Sequence, residues 1–184
     1  MPKIGATPIR KAALITATIA EVGRAGTLDV TVAQIARRAG MSPALAHHYF
    51  GSKDQIFLAA MRHILANYGK SVRAALRRAG PDGRLDAIIT ASLAPEHFDR
   101  DTISAWLNFY ALAHVNADAA RLLRVYHRRL RSNLIAALRP RNAAPETTAD
   151  AIGAMIDGLY LRAMMAPPAD HAATLRALIA QLTT

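Results

Sequence analysis

No cysteine occurs anywhere in the 184 residues. That excludes disulfides, thiol nucleophiles and thiolate metal sites together. Long apolar runs are missing too: 52% of the residues are hydrophobic, yet the runs are too short and too interrupted to cross a bilayer. The opening segment, MPKIGATPIRK, lacks the apolar block of a secretion signal, so a cytoplasmic protein with no membrane partner is expected. Alternation of apolar and polar residues never lasts beyond a few positions, which leaves little for a β-strand. Neither an internal repeat nor a low-complexity linker is present. Acidic residues are scarce, 13 against 23 basic ones, giving a net charge of +10. A chain of that sign draws polyanions, nucleic acid first and an anionic membrane second. Drift in a genome favouring Ala and Arg codons is the bland alternative.

What is there is helical. Apolar residues recur three and four positions apart over most of the chain. Thr7-Pro8 opens the first helix, whose stripe of Ile9, Leu14, Ile15, Ile19 and Val22 ends near Gly23 to Gly26. Thr31-Val32-Ala33-Gln34 spells a capping box, in which the Thr hydroxyl and the Gln amide each satisfy an orphan backbone N–H. Ser42-Pro43 starts a short helix, and Ser52-Lys53-Asp54-Gln55 is a second capping box. A long helix then runs to about Ala79, where Gly80-Pro81-Asp82-Gly83 stops it. Later helices begin near Leu85, Asp101, Asp118, Glu146 and Asp170, with breaks at Ala94-Pro95, Asn116, Pro140 to Pro145 and Pro167-Pro168. The expected fold is all-α: an N-terminal three-helix domain over residues 1–51, then five or six longer helices over residues 52–184.

Two of the short helices carry a specific geometry. At about 100° per residue, Val32, Ile35, Ala36 and Ala39 share one side, while Gln34, Arg37 and Arg38 face away. From Pro43 onward, Leu45, Ala46, Tyr49 and Phe50 form an inner face, and Pro43, Ala44, His47 and His48 an outer one. Ala36 lets the two helices approach, and Gly40 permits the turn between them. This describes a helix-turn-helix, whose second helix enters the DNA major groove. Thr31 and Ser42 at helix N-termini suit phosphate. Ala44 fits a thymine methyl, and His47 and His48 suit base acceptors or phosphate. Gln34, Arg37 and Lys53 point toward the flanking backbone. The plain alternatives are capping for the hydroxyls and solvation for the histidines. With no Arg or Asn on that face, DNA shape carries part of the specificity. Adjacent histidines diverge by about 100° and form no metal pair; no His-x-x-x-His occurs, and no cofactor or metal is expected. An enzyme would need a nucleophile–base pair, which is absent. A sequence-neutral architectural protein is the remaining competitor; it predicts equal binding to scrambled DNA.

Thr31, Ile35, Ala36, Ala39, Gly40, Ser42, Phe50, Ser52 and Lys53 reproduce the pattern of the TetR family of repressors, which residues 8–55 resemble. Further matches extend over nearly the whole chain: MPKIG, Ala105-Trp106-Leu107 with Phe109, Arg128-Arg129-Leu130 with Ser132-Asn133-Leu134, and Ile156-Asp157-Gly158-Leu159 with Leu161-Arg162. They point to the choline-responsive branch that controls glycine-betaine synthesis genes. The resemblance implies a repressor that occupies a palindromic operator as a homodimer and releases it on binding a small effector. His47 departs from the family's usual Tyr, as Tyr110 and Tyr160 depart from Trp, and Ala91-Ser92-Leu93 from Gly-Asn-Phe. A relative sensing another cation or a hydrophobic compound is the alternative.

Two further sets of residues follow. Trp106, Phe109 and Tyr110 share one helix face, and Asp157 lies inside the apolar AIGAMIDGLYLRAMM with Tyr160 one turn on. Aromatic faces with a carboxylate suit a quaternary ammonium; the same spacing equally suits ordinary core. In the TetR family the last two long helices, here Glu146–Ala166 and Asp170–Leu182, pair with their mates. Ile152, Met155, Ile156 and Leu159, joined by Leu175, Leu178 and Ile179, are the expected dimer seam, unless these faces pack within one chain.

Overall fold

The computed structural model of the protein describes residues 6–165 and 171–182, and among these there is no strand. Met1–Gly5, the Pro167-Pro168 break and the start of the last helix at Asp170 lie outside the described residues. The helices are α1 (Ala6–Ala25), α2 (Val32–Arg38), α3 (Pro43–Phe50), α4 (Lys53–Arg78), α5 (Arg84–Ser92), α6 (Arg100–Val115), α7 (Ala117–Leu138), α8 (Pro145–Ala163) and α9 (His171–Leu182). Single 3-10 turns at Pro81–Gly83 and Pro95–His97 occupy the breaks that proline and glycine foretell.

The chain gathers into two compact units, each built from two stretches of sequence. The first unit takes the chain up to Ile64 together with Arg100–Leu122; the second takes Leu65–Asp99 and the chain from Leu123 onward. The reason α6 joins the first unit is its packing on α1. Gly23 is no helix terminator: α1 continues through it, and a Cβ there would stand 2.4 Å from the Asp101 Cα. Its bare backbone is what lets α6 come so close. Around this contact Leu14, Val22, Ile35, Ala46, Ile56, Met61 and Phe109 are fully buried or nearly so. The α1 stripe therefore holds for Leu14 and Val22, whereas Ile9 is 71% exposed. Glu21 ties α1 to α2. Its buried carboxylate accepts from Arg24 at 2.8 Å and Arg38 at 2.5 Å, and these two guanidinium hydrogen bonds hold its pKa below the ordinary glutamate value.

In the second unit Ile88, Ile89, Leu134, Leu138, Ile152 and Ile156 form the buried core. Polar clamps fasten its rim: Arg176 of α9 donates to Asp86 at 2.6 Å and to Thr90 at 2.7 Å on α5, and Arg131 of α7 donates to Asp150 of α8 at 2.6 Å. The expected dimer seam needs correction here. Ile152, Ile156, Leu175 and Ile179 are buried within this chain, Met155 and Leu159 are half-buried, and only Leu178 is exposed. Ile152 and Ile156 have no accessible surface to offer a partner. The more open face of α8 is Ala151, Ala154 and Leu161, with half-buried Gly158 between them, one residue round the helix.

Candidate functional sites

Residues Thr31 to Lys53 build the first site. Thr31 caps α2: its Oγ1 accepts from the Gln34 N–H at 3.2 Å, while its own N–H donates to Gln34 Oε1 at 2.6 Å. The Thr31 hydroxyl also donates to that oxygen at 2.9 Å, so the Thr31 hydroxyl and the Gln34 carbonyl are both committed to the cap. Arg37 remains exposed beside them. Gly40, at φ +67°, turns the chain, and Ser42 caps α3 by accepting from Leu45 N–H at 3.2 Å. Ser52 then accepts from the Gln55 N–H at 3.2 Å at the start of α4, where Lys53 is half-buried with its Nζ 5.4 Å from the Phe57 ring centroid.

The two faces of α3 separate. Ala46 is fully buried, while Ser42, Pro43, Ala44, His47 and His48 are exposed. Tyr49 and Phe50 need a correction: they are half-buried at a rim, not core. Arg10 donates to the Tyr49 hydroxyl at 3.4 Å and the Lys11 ammonium stands 5.7 Å from the Phe50 ring centroid, so cations from α1 finish the seal that a fully apolar core would otherwise provide. His47 is oriented by its own helix end. Its Nδ1–H donates to the Gly51 carbonyl at 3.0 Å, since a carbonyl can only accept, which leaves Nε2 for an outside partner. Gly51 itself sits at φ +79°, a conformation that suits glycine alone.

A second group of side chains gathers around Asp157, wholly within the second unit. Asp157 Oδ1 accepts from the Tyr126 hydroxyl at 3.4 Å and Oδ2 lies 3.3 Å from His127 Nε2. Tyr126 meets Tyr68 edge to face with centroids 5.3 Å apart, Tyr68 meets His97 likewise at 5.8 Å, and Phe98 stacks on Tyr160 at 4.7 Å. Ser92 holds two of these rings. Its hydroxyl proton goes to the Ile88 carbonyl at 2.7 Å, so at 2.9 Å the Tyr68 hydroxyl is the donor to Ser92 Oγ; the Tyr160 hydroxyl donates to the Ser92 carbonyl at 2.5 Å. Burial first, and the Asp157 charge after it, push the Tyr68 phenol up to about 12; burial likewise raises Tyr160. Both rings stay neutral and electron-rich at physiological pH. Burial also lowers the His97 pKa, which favours its neutral form, and its Nε2 is buried with no hydrogen-bond partner among the described residues. Such an orphan costs roughly 1–3 kcal/mol and calls for an explanation.

The aromatic set read from the sequence divides. Asp157 and Tyr160 belong to this group. Trp106, Phe109 and Tyr110 lie in the first unit, where Phe109 is fully buried, Trp106 nearly so, and the Trp106 and Tyr110 rings meet edge to face at 5.3 Å. Tyr68, His97, Phe98, Tyr126 and His127 were not legible as site residues; the acid at 157 inside an apolar helix was the flag that something polar gathers there. No three metal-ligating side chains come together among the described residues.

A capped helix, a glycine turn and a second helix with a bare outer face define a helix-turn-helix DNA-binding regulator. Known proteins bear this out: the family model of tetR-family bacterial regulatory proteins matches residues 14–60, and that of the C-terminal part of BetI-type transcriptional repressors matches residues 81–184. The chain belongs to the BetI-type repressors of the TetR family, a family of DNA-binding regulators and not of enzymes. It is 50% identical over 182 residues to the HTH-type transcriptional regulator BetI of Brucella melitensis biotype 2 (strain ATCC 23457), covering 97% of this chain and 92% of that one. A transcriptional regulator from Pseudomonas aeruginosa PAO1 superposes with a TM-score of 0.82 at 26% identity, over 94% of this chain and 89% of that one. One from Saccharomonospora viridis, solved in complex with choline, gives a TM-score of 0.80 at 22% identity, over 93% of each chain. No described helix is long and apolar enough to cross a membrane.

Proposed function

We propose that the protein acts in the cytoplasm as a homodimer on a palindromic operator, represses choline-to-glycine-betaine genes, and leaves the operator when choline or a related organic cation binds. The observation that carries the DNA reading is the two-faced α3: Ala46 is sealed inside while Ala44, His47 and His48 are exposed on the other side. Pro43, Ala44, His47 and His48 reach base edges, and Ser42, Thr31, Gln34, Arg37 and Lys53 serve the backbone, Thr31 and Gln34 through the helix end that their cap organises. The Asp157 group supports the effector reading. A carboxylate set among neutral phenol and phenyl rings offers a quaternary ammonium both a counter-charge and π faces. The choline bound by the regulator of the same fold points to the same ligand class.

Release requires the effector to bind the DNA-free state more tightly than the DNA-bound one, by about 5.5 kcal/mol for a near-complete switch. A gel shift on the region upstream of the protein's own gene tests this. A shift that survives scrambled competitor DNA and is reversed by choline supports the reading. Equal binding to scrambled duplex removes operator specificity, and a shift indifferent to choline removes the effector.

A further inference from the structure

We propose that His97 selects the polar end of the effector, so that the Asp157 group takes an organic ammonium carrying a hydroxyl in preference to one of equal size without it. The inference rests on the reading of that group as the effector site, and adds to it the residue that discriminates among cations.

Almost every polar side-chain atom of the group already has a protein partner. Tyr68 donates to Ser92, Ser92 to the Ile88 carbonyl and Tyr160 to the Ser92 carbonyl; Tyr126 and His127 take one oxygen each of Asp157. His97 Nε2 is the buried nitrogen left without one among the described residues. Its ring is held by contact with Tyr68, which also meets Tyr126, the donor to Asp157. The imidazole and the carboxylate are thus joined through the Tyr68 and Tyr126 rings. A cation held by Asp157 and the rings has its remaining end free to meet His97.

The chemistry of that end follows. A neutral imidazole nitrogen is a donor in one tautomer and an acceptor in the other, and a hydroxyl satisfies either because it both donates and accepts. A methyl in its place leaves the nitrogen unpaired. A carboxylate accepts only, so it fits a single tautomer, and it brings a like charge toward Asp157.

Calorimetric titration of the full chain with choline and with propyltrimethylammonium, in which a methyl replaces the hydroxyl, tests the assignment. Wild type is expected to bind choline about tenfold more tightly, the worth of one buried hydrogen bond. His97→Phe keeps a ring and removes the nitrogen; it is expected to bind the two within about twofold of each other, with propyltrimethylammonium affinity kept. Should that variant fail to fold, the ring-nitrogen NMR signal of His97 in wild type decides: it moves with choline and stays with the analogue. Equal wild-type affinities, or a preference unchanged in His97→Phe, overturn the role of His97 and leave the effector site standing. Binding of neither cation to wild type overturns both.

Discussion

Where α1 meets α6, a single hydrogen atom in place of a methyl decides the spacing. An alanine at Gly23 gains up to about 1 kcal/mol of helix propensity. Its Cβ, however, would stand 2.4 Å from the Asp101 Cα, and a backbone atom cannot swing aside as a flexible side chain can. Overpacking of this kind costs about 1–3 kcal/mol, so Gly23→Ala is expected to lower stability, read as a fall in Tm. Glu21 supplies the complementary case. Its folded pKa lies below its unfolded value because Arg24 and Arg38 hydrogen-bond the carboxylate. The stability it contributes is present in full above the ordinary glutamate value near 4.5 and is lost as pH falls from there through the folded value. Glu21→Gln, which loses charge-assisted bonds worth about 1–2 kcal/mol, should melt earlier than wild type at neutral pH, and the gap should narrow in acid. Melting curves across pH 3 to 7 check both statements.

Among the helices, α3 separates stability from function most cleanly. Ala44 is exposed in its first turn, where a carboxylate interacts favourably with the helix dipole by about 0.3–1 kcal/mol. The same carboxylate faces phosphate if α3 enters a groove. Ala44→Glu is therefore expected to leave Tm unchanged or slightly raised while operator affinity drops by at least about tenfold, roughly 1.4 kcal/mol. Unaltered affinity in the gel shift would move the DNA contact off this face. That α3 could be read at all from the sequence has a local cause. Caps, Pro at a helix start and Gly at a turn act within four residues, so Thr31, Gln34, Gly40 and Ser42 announce their own positions. The Asp157 group had no such signal. Its rings come from α4, the turn after α5, α7 and α8, and nothing in the spacing of residues 68, 97, 126 and 160 marks them as neighbours. Glu21 and Arg38 were equally silent, 17 positions apart. The α8 face was misread for a different reason. Apolar or small residues surround that helix, so hydrophobic spacing alone assigns no inner side, and Ile152 and Ile156 turn out to be core.

At the scale of the molecule the open face of α8 becomes the test of assembly. Ala151, Ala154, Gly158 and Leu161 recur at alternating intervals of three and four residues, the spacing of a helix–helix seam, and exposed Leu178 of α9 adds a further apolar side chain to the same unit. A Cβ on Gly158 meets nothing within 4 Å among the described residues. Within one protomer, then, the Cβ of Gly158→Leu enters open space, and the change gains up to about 1 kcal/mol of helix propensity. Against a partner's helix the same leucine would hold apart backbones that the small residues allow to approach closely. The two effects have opposite signs, and that makes the variant decisive. If protomers pair through this seam, Gly158→Leu sediments as a monomer at concentrations where wild type is dimeric. The concentration dependence of its Tm disappears, and operator affinity falls because one helix-turn-helix alone spans a single half-site. A variant that stays dimeric and simply melts later places the symmetry axis on another face, and the buried Ile152 and Ile156 could not supply it, since nothing of them reaches the surface.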